Sequence, residues 1–122
     1  MKHQKSILGE LGEKFIVDLL QKQGFFILAT NFNAVVGELD IVAKKDKTVV
    51  FVEVKTRDFQ TFISTEIINK SKQRKVIAAA KKFILVNNLS YFDYIFRFDV
   101  AIVLKKGNIL ILHSYLENAY RE

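Results

Sequence analysis

The chain has 122 residues, half of them hydrophobic and eleven of them phenylalanine, which predicts a single domain over residues 1–122 with a core of its own. The absence of cysteine excludes disulfides, thiolate zinc sites and cysteine nucleophiles, and it fits a reducing cytoplasm. No apolar run is long enough to span a membrane, the first residues do not form a signal peptide, and the net charge of +6 favours a polyanionic partner.

The first predicted element is a helix over residues 6–23, closed by Gly24. At 100° per residue its apolar side chains form one wide face, and Gly12 lies inside that face, where the missing side chain permits close approach to a sheet. Glu13 lies at the border of the same face. An acid there either extends its carboxylate to solvent or takes part in a site, and the helix by itself leaves both interpretations open.

A short strand over residues 25–29 and a loop over 30–36 lead to two acidic strands, 38–43 and 48–57. The second acidic strand is apolar on both of its faces, which is typical of a strand buried on both sides. It nevertheless carries Glu53 and Lys55 near its end. A charge in such a strand is costly unless it is paired, solvated or bound to a metal.

The register of these two strands follows from the short connection between them. If residues 46–47 form a two-residue turn, the numbers of opposed residues add to 93, which places Asp40 opposite Glu53 and Glu38 opposite Lys55. Two carboxylates that close repel each other unless a cation lies between them, and hard oxygen ligands suit Mg²⁺ or Mn²⁺. A salt bridge from Lys55 to one of the acids is the structural alternative.

Residues 58–68 lack periodicity and predict either a loop over this site or a short extra strand. A second helix over 69–87 begins with Asn69 as its cap and has basic first turns. Its Lys72 and Gln73 point to the same side as the buried stripe, toward the end of the sheet, whereas Lys70, Arg74 and Lys75 point outward. The basic surface is either a solvated face or a surface that follows a phosphate backbone.

Residues 94–104 predict a long strand, on which Arg97 and Asp99 share one face and form a structural pair. A last strand covers 109–112, and 113–122 form a polar tail. The order is helix, three strands, helix, two strands. This order indicates an α/β sandwich in which helices flank a mixed central β-sheet.

An acid on the first helix, a Gly-Glu-x-Asp segment, a Glu-x-Lys strand and a basic helix together resemble the PD-(D/E)XK nuclease superfamily, which includes restriction endonucleases and archaeal Holliday-junction resolvases. More narrowly, nearly the whole chain resembles the bacterial YraN-like family. The residues that carry this resemblance are Gly12-Glu13, Asn31, 37–43, 51–57, Lys72, 97–99 and 113–120. The resemblance implies the restriction-endonuclease-like form of the α/β sandwich.

The resemblance also implies a metal-dependent, structure-selective endonuclease that hydrolyses phosphodiester bonds in DNA, including branched intermediates of recombination and repair. In this reading Asp40 and Glu53 bind Mg²⁺ or Mn²⁺, and Glu13 completes the site directly or through water. Lys55 activates the attacking water or stabilises the transition state, and Glu38 supports the ligands from beside them. The residues expected to hold the nucleic acid are Arg57, Lys70, Lys72, Gln73, Arg74 and Lys75.

Two other functions are compatible with the same residues. One is a nucleic-acid-binding module of this fold with little or no catalysis. The other is a protein-interaction domain whose acids are paired structurally. Resolvase-like relatives cut symmetrically as dimers, so the resemblance also raises a homodimer as a partner.

Overall fold

The computed structural model describes residues 6–62 and 69–122. The described elements follow the predicted order: α1 (Ile7–Lys22), β1 (Phe26–Asn33), β2 (Glu38–Lys45), β3 (Thr48–Asp58), α2 (Lys70–Val86), β4 (Ile95–Lys106) and β5 (Ile109–Tyr120). The five strands form one sheet in sequence order, with β3 and β4 parallel and the other neighbours antiparallel. The predicted α/β sandwich of restriction-endonuclease-like type, a mixed sheet flanked by helices, is confirmed.

The helix α1 covers one face of the sheet. It begins where the Ser6 hydroxyl accepts a hydrogen bond from the Gly9 amide at 3.0 Å. Its Ile16 and Leu20 are buried against apolar side chains of β2, β3 and β4. A Cβ on Gly12 would lie 1.8 Å from the Thr56 hydroxyl oxygen, which confirms that this glycine allows the helix to approach the sheet closely.

The helix α2 covers the opposite face and forms the crossover that parallel strands β3 and β4 require. Asn69 caps it by accepting a hydrogen bond from the Lys72 amide at 2.8 Å, as predicted. Phe83 packs edge-on against Phe51 of β3, with ring centroids 6.2 Å apart. A Cβ on Gly37 would lie 2.3 Å from the Lys75 carbonyl oxygen, so the turn before β2 also packs directly on this helix.

The strand β3 is the centre of both cores, as its two apolar faces predict. Its Val50 and Val52 face α1, whereas Val49 and Phe51 face α2. Both helices therefore pack on β3, the strand that also carries Glu53 and Lys55.

The two edge strands are three or more residues longer than the sequence predicts. β1 continues to Asn33, because Asn31 adopts a left-handed conformation (φ 54°) inside the strand and does not end it. The predicted polar tail is wrong as well: residues 113–120 continue β5 along β4, with Leu116 opposite Val100 and Tyr120 opposite Phe98. Both are edge strands with one solvent-facing side, and their polar residues therefore give a sequence pattern similar to that of a loop.

The segment after β3 is described only in part. β3 continues to Asp58 and a turn follows at residues 59–61. The remainder of the predicted loop or extra strand, residues 63–68, lies outside the described residues. Neither α1 nor α2 combines the length and apolar character that crossing a membrane requires.

Candidate functional site

The acidic site begins where β2 and β3 stop pairing through their backbones. The predicted register is confirmed, with opposed residues adding to 93 from Lys45 and Thr48 to Ile41 and Val52. At the next position Asp40 accepts a hydrogen bond from the Val54 amide at 2.9 Å through Oδ2. A side-chain oxygen thus serves as the acceptor for this amide, which fixes the Asp40 carboxylate against β3.

Glu53 meets Asp40 from β3, and both carboxyl groups are buried. The pKa of Glu53 is raised to about 8, first by burial and then by the hydrogen bond and negative charge of Asp40, against the opposing charge of Lys72. The protonated form of Glu53 is thereby favoured, and a hydrogen bond joins the Glu53 and Asp40 side chains. The predicted contact between Asp40 and Glu53 is formed by their side chains.

The basic helix supplies the third member of the site. Lys72, in the first turn of α2, places its Nζ 3.3 Å from Glu53 Oε1. The prediction that Lys72 faces the end of the sheet is confirmed. Its side chain is still 51% exposed, so solvent weakens the ion pair and the ammonium can also reach other groups.

Lys55 and Arg57 lie further along β3 and are half-buried. Lys55 shares a strand face with Glu53 by the two-residue period. The guanidinium of Arg57 donates to the Thr56 carbonyl at 3.0 Å. The predicted pairing of Glu38 with Lys55 is not part of the β2–β3 ladder, because that ladder ends at Ile41 and Val52.

Glu38 instead pairs with Asn33 of β1 and is half-buried at the start of β2. Its position beside Leu39 and Asp40 keeps it next to the acidic site along the chain. A supporting role for Glu38 stays a prediction.

Glu13 is 7% exposed on α1, so the interpretation that its carboxylate extends to solvent is wrong. The helix that carries Glu13 covers the face of the sheet opposite to α2. Within residues 6–62 and 69–122, no three His, Asp or Glu side chains are grouped as a metal site would need. The described residues present a pair of carboxylates, and the part of Glu13 in metal binding stays a prediction.

The outward-facing residues of α2 lie as predicted. Lys70, Arg74 and Lys75 are exposed, and Gln73 is half-buried at the border of the helix. They form a basic surface on the same helix whose Lys72 reaches Glu53.

Arg97 and Asp99 form the structural pair that the sequence predicts. The guanidinium donates twice to the carboxylate, at 2.9 Å each, and Asp99 is fully buried. The Tyr115 hydroxyl at 2.6 Å and the Asn118 amide at 2.9 Å also donate to Asp99. This carboxylate therefore holds β5 against β4.

Tyr120, which the sequence analysis assigned to a polar tail, is half-buried and packs against the core on the α2 side of the sheet. Its ring stacks on Phe98 with centroids 5.2 Å apart. Its hydroxyl is buried and makes no hydrogen bond within the described residues. Burial raises the pKa of Tyr120, and the negative charges of Glu53 and Asp40 raise it further, so this hydroxyl lies in the field of the acidic pair. The only signal in the sequence was its place in the motif at residues 113–120.

The fold and the acidic pair define the class: an α/β protein of restriction-endonuclease-like fold with a carboxylate site at the diverging end of two strands. The chain belongs to the family described as "Uncharacterised protein family UPF0102", whose model matches residues 12–103. The predicted resemblance is thereby confirmed. The matched range includes the acidic pair, Lys55 and the whole of α2.

Relatives of this family match most of the chain. A UPF0102 protein of Caldicellulosiruptor bescii is 46% identical over 101 residues, which cover 82% of this chain and 84% of that protein. One from Alkaliphilus metalliredigens is 40% identical over 114 residues, 93% of this chain and 96% of the relative. One from Desulforapulum autotrophicum is 38% identical over 122 residues, with 99% and 98% covered.

Proposed function

We propose that this protein is a metal-dependent endonuclease that hydrolyses phosphodiester bonds in DNA and selects its substrate by shape. The observation that carries the proposal is the contact of two buried carboxyl groups, Asp40 and Glu53, with Lys72 at 3.3 Å. Burying two carboxyl groups in contact costs free energy, and a divalent cation bound between them would offset that cost.

The two acids fit Mg²⁺ or Mn²⁺. Both provide hard oxygen donors, and the Val54 amide at 2.9 Å already orients the Asp40 carboxylate. Mg²⁺ keeps several waters and commonly uses only one or two protein carboxylates together with substrate phosphate, so a pair is sufficient. Asp40 and Glu53 would hold the ion, with Glu13 as a further contributor. When bound, the ion polarises the scissile phosphate and lowers the pKa of a coordinated water.

The remaining residues act on the substrate. Lys55 orients the attacking water or stabilises the charge that develops on the phosphate. Lys72 is released from Glu53 and binds a phosphate oxygen. Arg57 and the outward-facing residues of α2 hold the backbone, without a base-reading motif, which favours recognition of shape over sequence.

A nucleic-acid-binding module without catalysis is the second candidate. The observation that favours it is the hydrogen bond between Asp40 and Glu53, whose pKa is raised, together with the Lys72 ion pair, because these contacts reduce the charge of the site without a metal.

The test uses end-labelled four-way junction, flap, single-stranded and duplex DNA, incubated in Mg²⁺, Mn²⁺ or EDTA. The proteins are the wild type, Asp40→Asn and, as a matched control, Asp18→Asn on the exposed side of α1. We expect cleavage that requires metal, is lost in Asp40→Asn by at least about a hundredfold and is unchanged in Asp18→Asn. The ranking of the four substrates identifies the preferred structure.

If the wild type binds DNA in a salt-sensitive way but does not cleave it, the second candidate, a nucleic-acid-binding module without catalysis, is favoured. If the wild type neither cleaves nor binds any of the four DNAs, both candidate functions are overturned. Cleavage that persists in Asp40→Asn would show that the acidic pair is not the site.

A further inference from the structure

A groove runs along one side of α2, formed by two adjoining cavities of about 490 and 320 Å³. Both cavities are bordered by Ile77, Lys81, Arg121 and Glu122, so they are continuous. We call this feature the α2 groove. Its walls are the helix on one side and the residues at the end of β5 on the other.

One half of the α2 groove is cationic. Lys70 and Arg74 line the first cavity together with Lys81 and Arg121, and Glu122 is the one acid among the lining residues. Lys70 to Lys81 spans about 16 Å along the helix axis. Cations spaced over that length on one side of a helix can follow the phosphates of a few nucleotides.

The other half is aromatic. Tyr91, Tyr94 and Phe96 line the second cavity. The ring of Tyr91 meets Phe96 edge-on, with centroids 5.2 Å apart, and remains 65% exposed. Phe96 thus supports Tyr91 while leaving much of that ring open to a ligand.

The composition of the α2 groove selects one class of ligand. An acidic peptide would use the cations and leave the exposed ring of Tyr91 without a role. A duplex also presents phosphates, but its bases are stacked inside. A single strand offers both phosphates and unstacked bases, and cationic grooves with aromatic platforms are the usual solution for binding it.

The α2 groove begins on the same first turns of α2 that carry Lys72. Lys70 and Arg74 line the groove, whereas Lys72, between them in the sequence, points to another side of the helix, where its ammonium lies 3.3 Å from Glu53. We propose that the α2 groove binds a single-stranded nucleic-acid segment that leaves the acidic site, with its phosphates on the cations and a base stacked on the exposed ring of Tyr91. This inference rests on the proposed function and deepens it, because it names substrates with a single-stranded arm.

Glu122 restrains this binding. Its carboxylate forms an ion pair with the Lys81 ammonium and lines both cavities. A phosphate that reaches Lys81 must displace it, and the carboxylate repels the incoming strand. Removal of the Glu122 charge therefore strengthens binding, whereas removal of a cation weakens it.

The test measures fluorescence anisotropy in EDTA, so that binding is independent of cleavage. The probes are labelled oligothymidylate of about 16 nucleotides, oligouridylate of the same length, blunt duplex DNA and polyglutamate. We expect the wild type to prefer the single strands. The comparison of the two single strands shows whether the groove takes DNA or RNA.

The variants have effects of opposite sign. Arg74→Gln and Lys81→Gln should raise the Kd severalfold and flatten the plot of log K against log salt by about 0.7 each. Glu122→Gln should lower the Kd and steepen that plot. Lys82→Gln is the matched control, because Lys82 is exposed on α2 but does not line either cavity.

The aromatic half is tested separately. Tyr91→Ala should weaken binding by about five- to a hundredfold with an unchanged salt dependence, and Tyr91→Phe should bind like the wild type. Thermal melting of each variant verifies its fold.

Equal binding of duplex and single strand, with Tyr91→Ala and Glu122→Gln both like the wild type, would overturn the inference. If these results are found while Asp40→Asn still abolishes cleavage, the endonuclease proposal is retained and only the role of the α2 groove is rejected. If the groove variants behave as expected but no metal supports cleavage by the wild type, the groove stands and the proposed function fails.

Discussion

At the scale of single residues, the acidic pair makes the protein sensitive to pH. The pKa of Glu53 is raised from its ordinary 4.5 to about 8, mainly by burial and then by Asp40. Between these values the folded state binds a proton that the unfolded state lacks, so folding stability falls as pH rises. We expect Tm to decrease from about pH 5 to pH 9, because this group's contribution to the free energy of unfolding falls by an amount on the order of a few kcal/mol.

Glu53→Gln should remove most of this pH dependence, since its amide can donate to Asp40 at any pH. Glu10→Gln on α1, whose side chain is exposed, should retain the dependence. Under the proposed function, Mg²⁺ should raise Tm more at pH 9 than at pH 6, because the metal competes with the Glu53 proton. A Tm that rises with pH in the wild type but not in Glu53→Gln would contradict the assignment of the proton.

Two tyrosines of β5 provide a matched pair for a second prediction. The Tyr120 hydroxyl is buried without a hydrogen-bond partner in the described part of the chain, whereas the Tyr115 hydroxyl donates to Asp99 at 2.6 Å. Tyr120→Phe should stabilise the protein by about 1 kcal/mol, and Tyr115→Phe should destabilise it by about 1.5–3 kcal/mol.

Urea denaturation measures both changes. Equal destabilisation by the two substitutions would mean that Tyr120 has a polar partner in solution. Because Tyr120 lies in the field of the acidic pair, loss of cleavage in a stabilised Tyr120→Phe protein would indicate that its hydroxyl contacts substrate.

At the scale of elements, α1 depends on one glycine. A Cβ at Gly12 would fall 1.8 Å from the Thr56 hydroxyl oxygen and 2.9 Å from its Cβ, so Gly12→Ala forces the helix away from β3. We expect a loss of about 1–3 kcal/mol or more in the free energy of unfolding, measured with urea.

Gly9→Ala is the control on the same helix. Its Cβ would meet only the Ser6 hydroxyl at 3.3 Å, and we expect a change within about 1 kcal/mol. Thr56→Ala in the Gly12→Ala background should restore part of the lost stability, which a double-mutant cycle measures. Full stability of Gly12→Ala alone would show that the helix is not in close contact with β3.

The elements also show why parts of the fold were predictable. The start of α2 was correct because Asn69 caps it through a contact only three residues long. The β2–β3 register was correct because a two-residue turn leaves no choice of pairing. The lengths of β1 and β5 were wrong, because edge strands hold polar residues in place through partners that are distant in sequence.

At the scale of the whole molecule, topology turns a basic helix into part of a site. Parallel β3 and β4 require a crossover, and α2 is that crossover. Its first turn therefore lies at the end of β3, where Lys72 reaches Glu53. Another side of the helix, from Lys70 to Ile84, borders the α2 groove, so one helix connects the acidic pair with the proposed path of the substrate.

The sequence by itself determined the α/β class, the family, both helices, the hairpin of β2 and β3 and the Arg97–Asp99 pair. These depend on periodicity, caps, a short turn and residues two apart, all of which are local. Only the tertiary structure decided that the pKa of Glu53 is raised, that the Tyr120 hydroxyl is buried and that α2 borders a groove. Each of these requires burial or contacts between segments far apart in the chain, and the free energy of such contacts has no local pattern in the sequence.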